Sequence, residues 1–448
     1  MKTITRNISA LLLTSAAVMP LQALAGNATV SITPEFKQAV QAYDIVQNFS
    51  DGMAAVCRGG NWGYIDATGR EVIPCQFSKA FDLDVERADY GFFRDNGYIR
   101  NFSEGLVAVA KETSGAKANY DRQLKWGFMD RTGKLVIDYQ YDNVYDFSEG
   151  LAYVMSENFT GFIDATGKQV INTTGRYQPA NDGQGCHFSQ GRACMMLASD
   201  DGDVKYGFID RTGNVAIAFN YADARNFSEG VAMVAVEDTL LQDASNATYP
   251  FRYQMVDTTG ATVISLPFGT KPDNFADGLA SVTTDGLTYG FIDHSGNQVI
   301  ATKYFTADVD MTKSMKPFSE GYTIAGIEQA NPATDNGKKK KKDDDEPAEQ
   351  PTIIATFHLV GHNGQQQSAI VSGPVSNGVA LTADGGKYGF AKADGTIAIP
   401  CRYDYTQPCV NGEVLPDTYH FTSEGVAAVR LNGKWGYVDL QGHDTFGN

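Results

Sequence analysis

Two histidines four residues apart, His358 and His362, are the first candidates for chemistry, because a helix would place them together as metal ligands. No Glu follows His358, as H-E-x-x-H requires, and both fall in stretches that read as strand and turn. Serines come next. Ser50, Ser103, Ser148 and Ser228 recur inside one local phrase, whereas a nucleophile is normally unique, and no G-x-S-x-G is present. Asp200-Asp201-Gly202-Asp203 hints at calcium but lacks the ligand spacing and terminal Glu of an EF-hand loop. The carboxylates form the most regular set: Asp51, Glu104, Glu149, Glu229, Asp277, Glu320 and Glu424. Their plainer role is local bonding to a turn. Projected from equivalent places in an array, they would form an acidic rim that draws in cations or basic groups. Gln190 and Asn377 interrupt the series.

The elements that position these residues repeat along the chain. The unit is clearest from Phe49 to Pro74: F-S-D-G-M-A-A-V, a spacer, then N-W-G-Y-I-D-A-T-G-R-E-V-I-P. Its pieces are A (Phe49 to Val56), B (Trp62 to Asp66) and C (Val72, Ile73 and the residues directly after them). Piece A starts at Phe49, Phe102, Phe147, Phe188, Phe227, Phe275, Phe318, Val375 and Phe421. Short aromatic and β-branched runs bounded by Gly and Asp are strand signals, and D-x-T-G suits the loop of a hairpin. A lone hairpin is marginal in water, so each unit needs its neighbours. The expectation is an all-β tandem array of about nine units of two or three strands. The chain opens with a C-like register, Ile32 four before Phe36, and its last unit stops at Phe446 without a full C. A closed, propeller-like ring, with residues 26–48 lending a C strand to the last unit, is favoured over an open β-solenoid.

The phrase F-S-E-G…W-G-[YF]-[IMV]-D-x-x-G resembles the WG-repeat family, through Trp62-Gly63, Trp126-Gly127 and Trp435-Gly436, over roughly residues 30–448. Tyr206, Tyr289 and Tyr388 replace Trp; Thr160 loses the aromatic; Tyr253-Gln254 and Phe357-His358 lose the glycine. The resemblance implies an all-β repeat array of a bacterial protein and no particular reaction.

Residues 1–25 read as a secretory signal, with Lys2 and Arg6, an apolar core and Ala23-Leu24-Ala25 as the cleavage site. The remainder, 26–448, reads as one β domain carrying a charged, disordered insertion at 331–351. No other stretch is apolar enough to span a membrane, so the expected location is periplasmic or extracellular. The formal charge of −17, or −19 without Lys2 and Arg6, argues against nucleic acid. Six cysteines in an exported chain read as disulfides. The spacing suggests Cys186 with Cys194 and Cys401 with Cys409, which leaves Cys57 and Cys75. No cofactor or metal is expected. The functional expectation is a non-catalytic protein-interaction scaffold of the cell envelope with protein partners, basic ones included. A glycan- or cell-wall-binding module using Phe92, Tyr98 and Tyr405 is the alternative, and a carboxylate-dependent hydrolase the second.

Overall fold

The computed structural model describes residues 29–78, 100–112, 124–180, 186–198, 202–237, 251–305, 315–330, 353–404, 409–410, 413–414 and 419–447. The signal, the 331–351 insertion, Asp200-Asp201, Phe92, Tyr98 and Tyr405 therefore lie outside the described residues.

Piece A begins with a tight hairpin. In the first unit Asp51 and Gly52 sit at φ 55° and 76° between Ser50 and Met53, which pair across the turn. Two successive positive φ angles give the twist that antiparallel strands need. Strand Met53–Arg58 then pairs with Asn61–Asp66, and that with Glu71–Ser78, so a preceding short strand, A, B and C lie side by side as one antiparallel sheet. Register shifts recur where B meets C. They explain the glycine of W-G. A Cβ on Gly207, Gly290 or Gly389 would come within 2.8, 2.7 and 2.5 Å of the carbonyl oxygens of Ile217, Ile300 and Ile399, too close for any side chain.

The described residues hold eight sheets of three to five strands, each one repeat unit, and a ninth unit reduced to the hairpin Val426–Leu431 with Lys434–Asp439. The cores lie between neighbouring units. Phe128, Ile137 and Phe147 share one cluster, and Phe162, Ile171 and Phe188 the next. One cluster unites Val46 and Phe49 near the chain start with Val426, Tyr437 and Val438 near its end. The array is thus a closed β-propeller ring and not an open solenoid.

The closing segment differs from the expected strand. Residues Pro34–Val40 form an α-helix. Thr33 caps it, its hydroxyl accepting the Phe36 N–H at 3.2 Å, and Pro34 occupies a first-turn position where its missing N–H costs nothing. The helix still does the work of a C strand. Where the turn glycines Gly167 and Gly260 rest on Ile137 and Ile217 of the preceding unit, Gly69 rests on Phe36 and Ala39. Phe36 also meets Tyr437 with ring centroids 5.7 Å apart.

Candidate functional site

The third-position residues of piece A lie on a circle joining every unit to the next. Glu104 accepts the N–H of Gly150 at 2.8 Å, Glu149 that of Gly191 at 2.9 Å, and Glu229 that of Gly278 at 3.1 Å. Asp51 and Asp277 bond Gly105 and Gly321 in the same way, and Glu320 receives both Asn377 and Gly378 at 2.7 Å. Glu424, 3 % exposed, accepts the N–H of Gly52 at 2.9 Å and so closes the circle across the chain ends. Gln190 keeps the pattern, its amide oxygen accepting from Gly230 at 2.8 Å. Asn377 reverses it, donating to the Thr422 carbonyl at 3.0 Å.

Backbone strain agrees with this role. Glu104, Glu149, Glu229 and Glu320 stand at φ near 50°, a left-handed conformation that costs a residue with a Cβ on the order of 1 kcal/mol. Glycine or asparagine would hold the turn more easily, so the side chain is retained for its bond to the neighbour. The recurrent serines act beside it. Ser103, Ser148 and Ser189 donate to the carbonyls of Phe147, Phe188 and Phe227 at 2.8, 2.8 and 2.7 Å. They are seam donors that recur along the chain, Ala276 taking the place in the Phe275 unit, with no general base beside them in these bonds.

A third group was not foreseen from sequence. The residue after the Asp of piece B, or after Gly361 where that Asp is missing, reaches back to the preceding unit's carboxylate: Arg131 to Asp51, Arg211 to Glu149 at 3.4 Å, His294 to Glu229 at 3.5 Å and His362 to Asp277 at 3.4 Å. The only sequence signal was the enrichment of Arg and His at that one turn position. His362 lies against Phe318, while His358 is buried in a strand with Nδ1 3.3 Å from the Gln367 carbonyl, so the two histidines share no site. Among the described residues no three His, Cys, Asp or Glu side chains converge as metal ligands. The rim carboxylates are therefore arranged as a circle, with oxygens engaged in the seams. Glu104, Glu229, Asp277 and Glu320 remain exposed while bonded.

The Asp of piece B shapes its own turn. Asp210 Oδ1 accepts the Thr212 hydroxyl at 2.6 Å, the Thr212 N–H at 2.8 Å and the Asn214 N–H at 3.1 Å. The Thr212 hydroxyl and these N–H groups hold its carboxyl below the ordinary value, and the Thr259 hydroxyl does the same for Asp257.

The cysteines correct two expected pairings. Cys186 packs with Phe188, Ala193 and Met195 in one cluster, its sulfur 3.7 Å from that of Met195. Cys194, next to Met195 on the strand, points to the opposite face and the following cluster, its sulfur 3.7 Å from the Ala224 carbonyl. The sheet itself separates them, and no disulfide forms. Cys75 packs against the cluster holding Val56, whereas alternation along Met53–Arg58 sends Cys57 to the face of Ala55, so that pair is not bridged either. Burial pushes the Cys75 thiol up to about 11. The Cys401–Cys409 pairing rests on a Cys409 side chain outside the described residues.

Ring polarity is the feature the sequence left hidden. The seam bonds put all F-S-E-G turns on one edge, and the D-x-T-G tips lie there too, since Met53 pairs with Asp66. The A–B tips and the links from each C to the next unit emerge from the opposite edge, where Arg58 pairs with Asn61 and Asn61 with Ser78. Every long insertion, at 79–99, 113–123, 238–250, 306–314 and 331–352, interrupts the chain at that second edge. One edge is constant and the other variable.

Closed circle, blade sheets and turn phrases together define a repeat-built β-propeller. The chain belongs to the WG-repeat family: the model of the WG containing repeat matches residues 32–62, 62–86, 126–158, 206–239, 388–412 and 416–435. The B pieces at Thr160, Tyr253, Tyr289 and Phe357 fall outside these matches. No curated protein matches the chain. Similar solved structures include the computationally designed Ika8 protein, at 13 % identity and TM-score 0.35, covering 80 % of this chain and 95 % of that one. BamB from Moraxella catarrhalis aligns at 10 % identity and TM-score 0.32, over 77 % and 88 %. The β-propeller domain of the Trilobed protease from Pyrococcus furiosus aligns at 8 % and 0.29, over 76 % and 91 %.

Proposed function

We propose that this chain is a non-catalytic interaction scaffold of the cell envelope, exported to the periplasm or beyond, that holds protein partners on the variable edge of its ring. The observation that carries the reading is the division of labour between the two edges. The recurrent residues able to do chemistry are used in turns and seams on the constant edge. Loops set on a rigid frame usually carry recognition, and here the long insertions fall on one edge only. Among the described residues no helix is long and apolar enough to cross a membrane. Export rests on the signal-like residues 1–25. The net charge of −17 favours a basic partner, drawn in at long range and less so in high salt.

Crosslinking in intact cells followed by mass spectrometry tests the reading. It expects adducts between the chain and envelope proteins, lost when cells are treated at high salt before crosslinking. Reproducible turnover by the purified protein, abolished by one carboxylate substitution that leaves folding intact, would establish an enzyme instead.

A further inference from the structure

Three neighbouring outer strands lack the guards that other outer strands carry. In each of the eight full blades C is an edge strand, with no strand paired beyond it among the described residues. Exposed sheet edges are usually protected by a charge or a proline, which stops another chain from adding a strand. Glu71–Ser78 carries Glu71 and Pro74, and Leu135–Tyr141 carries Asp138. Gln298–Tyr304 has Lys303, and Ile397–Asp404 has Pro400 and Arg402. The C strands of units 3, 4 and 5 are Gln169–Asn172, Val215–Tyr221 and Thr262–Ser265, with neither charge nor proline. Each exposes a valine, Val170 at 43 %, Val215 at 47 % and Val263 at 51 %. Gln366–Ile370 is also unguarded but has no large apolar residue among its described exposed side chains.

We propose that these three edges are docking sites at which an extended, uncharged segment of a partner protein adds as a β-strand. The inference rests on the reading of the chain as an interaction protein and names the kind of segment bound. Backbone groups of the open edge supply the pairing, and the valines receive alternate apolar side chains. Charge decides the occupant. These strands offer no ion-pair partner, so a charged segment loses hydration without compensation, whereas a neutral one does not. A second copy of this chain brings its own charge of −17, and neutral edges have nothing with which to offset that repulsion.

The test is hydrogen exchange on the full chain with and without an end-capped synthetic peptide of alternating valine and threonine. At saturating peptide, amides in 169–172, 215–221 and 262–265 should exchange about tenfold more slowly, while those of 298–304 and 397–404 stay unchanged. The triple variant Val170→Lys, Val215→Lys, Val263→Lys should melt like the parent and lose the protection. Uniform exchange with and without peptide overturns the proposal. So does sedimentation showing a dimer that the lysine variant dissociates, since the occupant is then a second copy. Envelope crosslinks that persist in the lysine variant, together with edges of the parent chain that the peptide leaves unprotected, leave the scaffold reading standing and remove this one.

Discussion

Replacing Glu424 by Ala separates a closed ring from an open array. Glu424 is nearly buried, and its carboxylate receives the Gly52 N–H at 2.9 Å and the Ser423 hydroxyl at 3.0 Å. Its carbonyl receives Val30 N–H at 2.9 Å. A hydrogen bond to a charged acceptor contributes about 1.5–3 kcal/mol, and Ala leaves Gly52 without its side-chain acceptor. A loss near 2 kcal/mol should lower Tm by about 2 °C at the sensitivity of a chain of this length. Glu424→Gln keeps an oxygen in place, as Gln190 does in its own unit, and should lose about 1 kcal/mol or less. The assay is thermal unfolding with hydrogen exchange resolved by unit. In the Ala variant, amides of units 9 and 1 should open first, ahead of units 4 and 5. If Ala and Gln variants melt together and exchange at the Gly52 turn is unmoved, the seam bond does not close the ring.

Other outcomes follow from the same seams and turns. Gly127→Ala drives a Cβ into the Ile137 carbonyl and should cost about 3 kcal/mol, visible as a loss of urea resistance; a neutral result would refute the register-shift explanation of W-G. Phe36→Ala empties the space between Gly69 and Tyr437 and should cost about 3–5 kcal/mol, with faster exchange in both the first and last units. For acid stability, the carboxyls of Asp210, Asp257 and Asp293 lie below their ordinary values when folded, so their contribution is complete above the unfolded value of about 3.8 and is lost as pH falls through the folded values. Tm should therefore fall below about pH 4, and less so in an Asp210→Asn, Asp257→Asn double variant. A Tm with no acid-limb difference between the two proteins would contradict the turn assignment.

Local features were legible in the sequence, and tertiary ones less so. Strand pieces, the glycine of each turn and the ring closure could be read because period-two burial and turn residues repeat in register. The first segment misled because Ile32 and Phe36 copy the spacing of a C strand. Thr33-Pro34-Glu35 beside them is a helix start, with cap, first-turn proline and acidic first turn. Two of the cysteine pairings failed because sequence distance says nothing about which face a side chain takes, although alternation along Arg192–Ala198 sets Cys194 apart from Ala193 and Met195. The carboxylate circle could be seen as a series. Its use could not, since the bonds span about forty to sixty residues, as from Glu104 to Gly150 and from Glu320 to Gly378, and the closing one, from Glu424 to Gly52, spans 372. Ring polarity emerged only once both turn types were placed on one edge.

Site-specific photocrosslinking in cells tests the central claim, that one edge is structural and the other recognises partners. A photoreactive residue is placed singly at Asn158, Thr284 or Asp384, exposed at A–B tips, and at Thr132, Thr166 or Thr259, exposed at D-x-T-G tips. The account predicts protein adducts from the first three positions and none above background from the second three. Adducts confined to the D-x-T-G tips would contradict it.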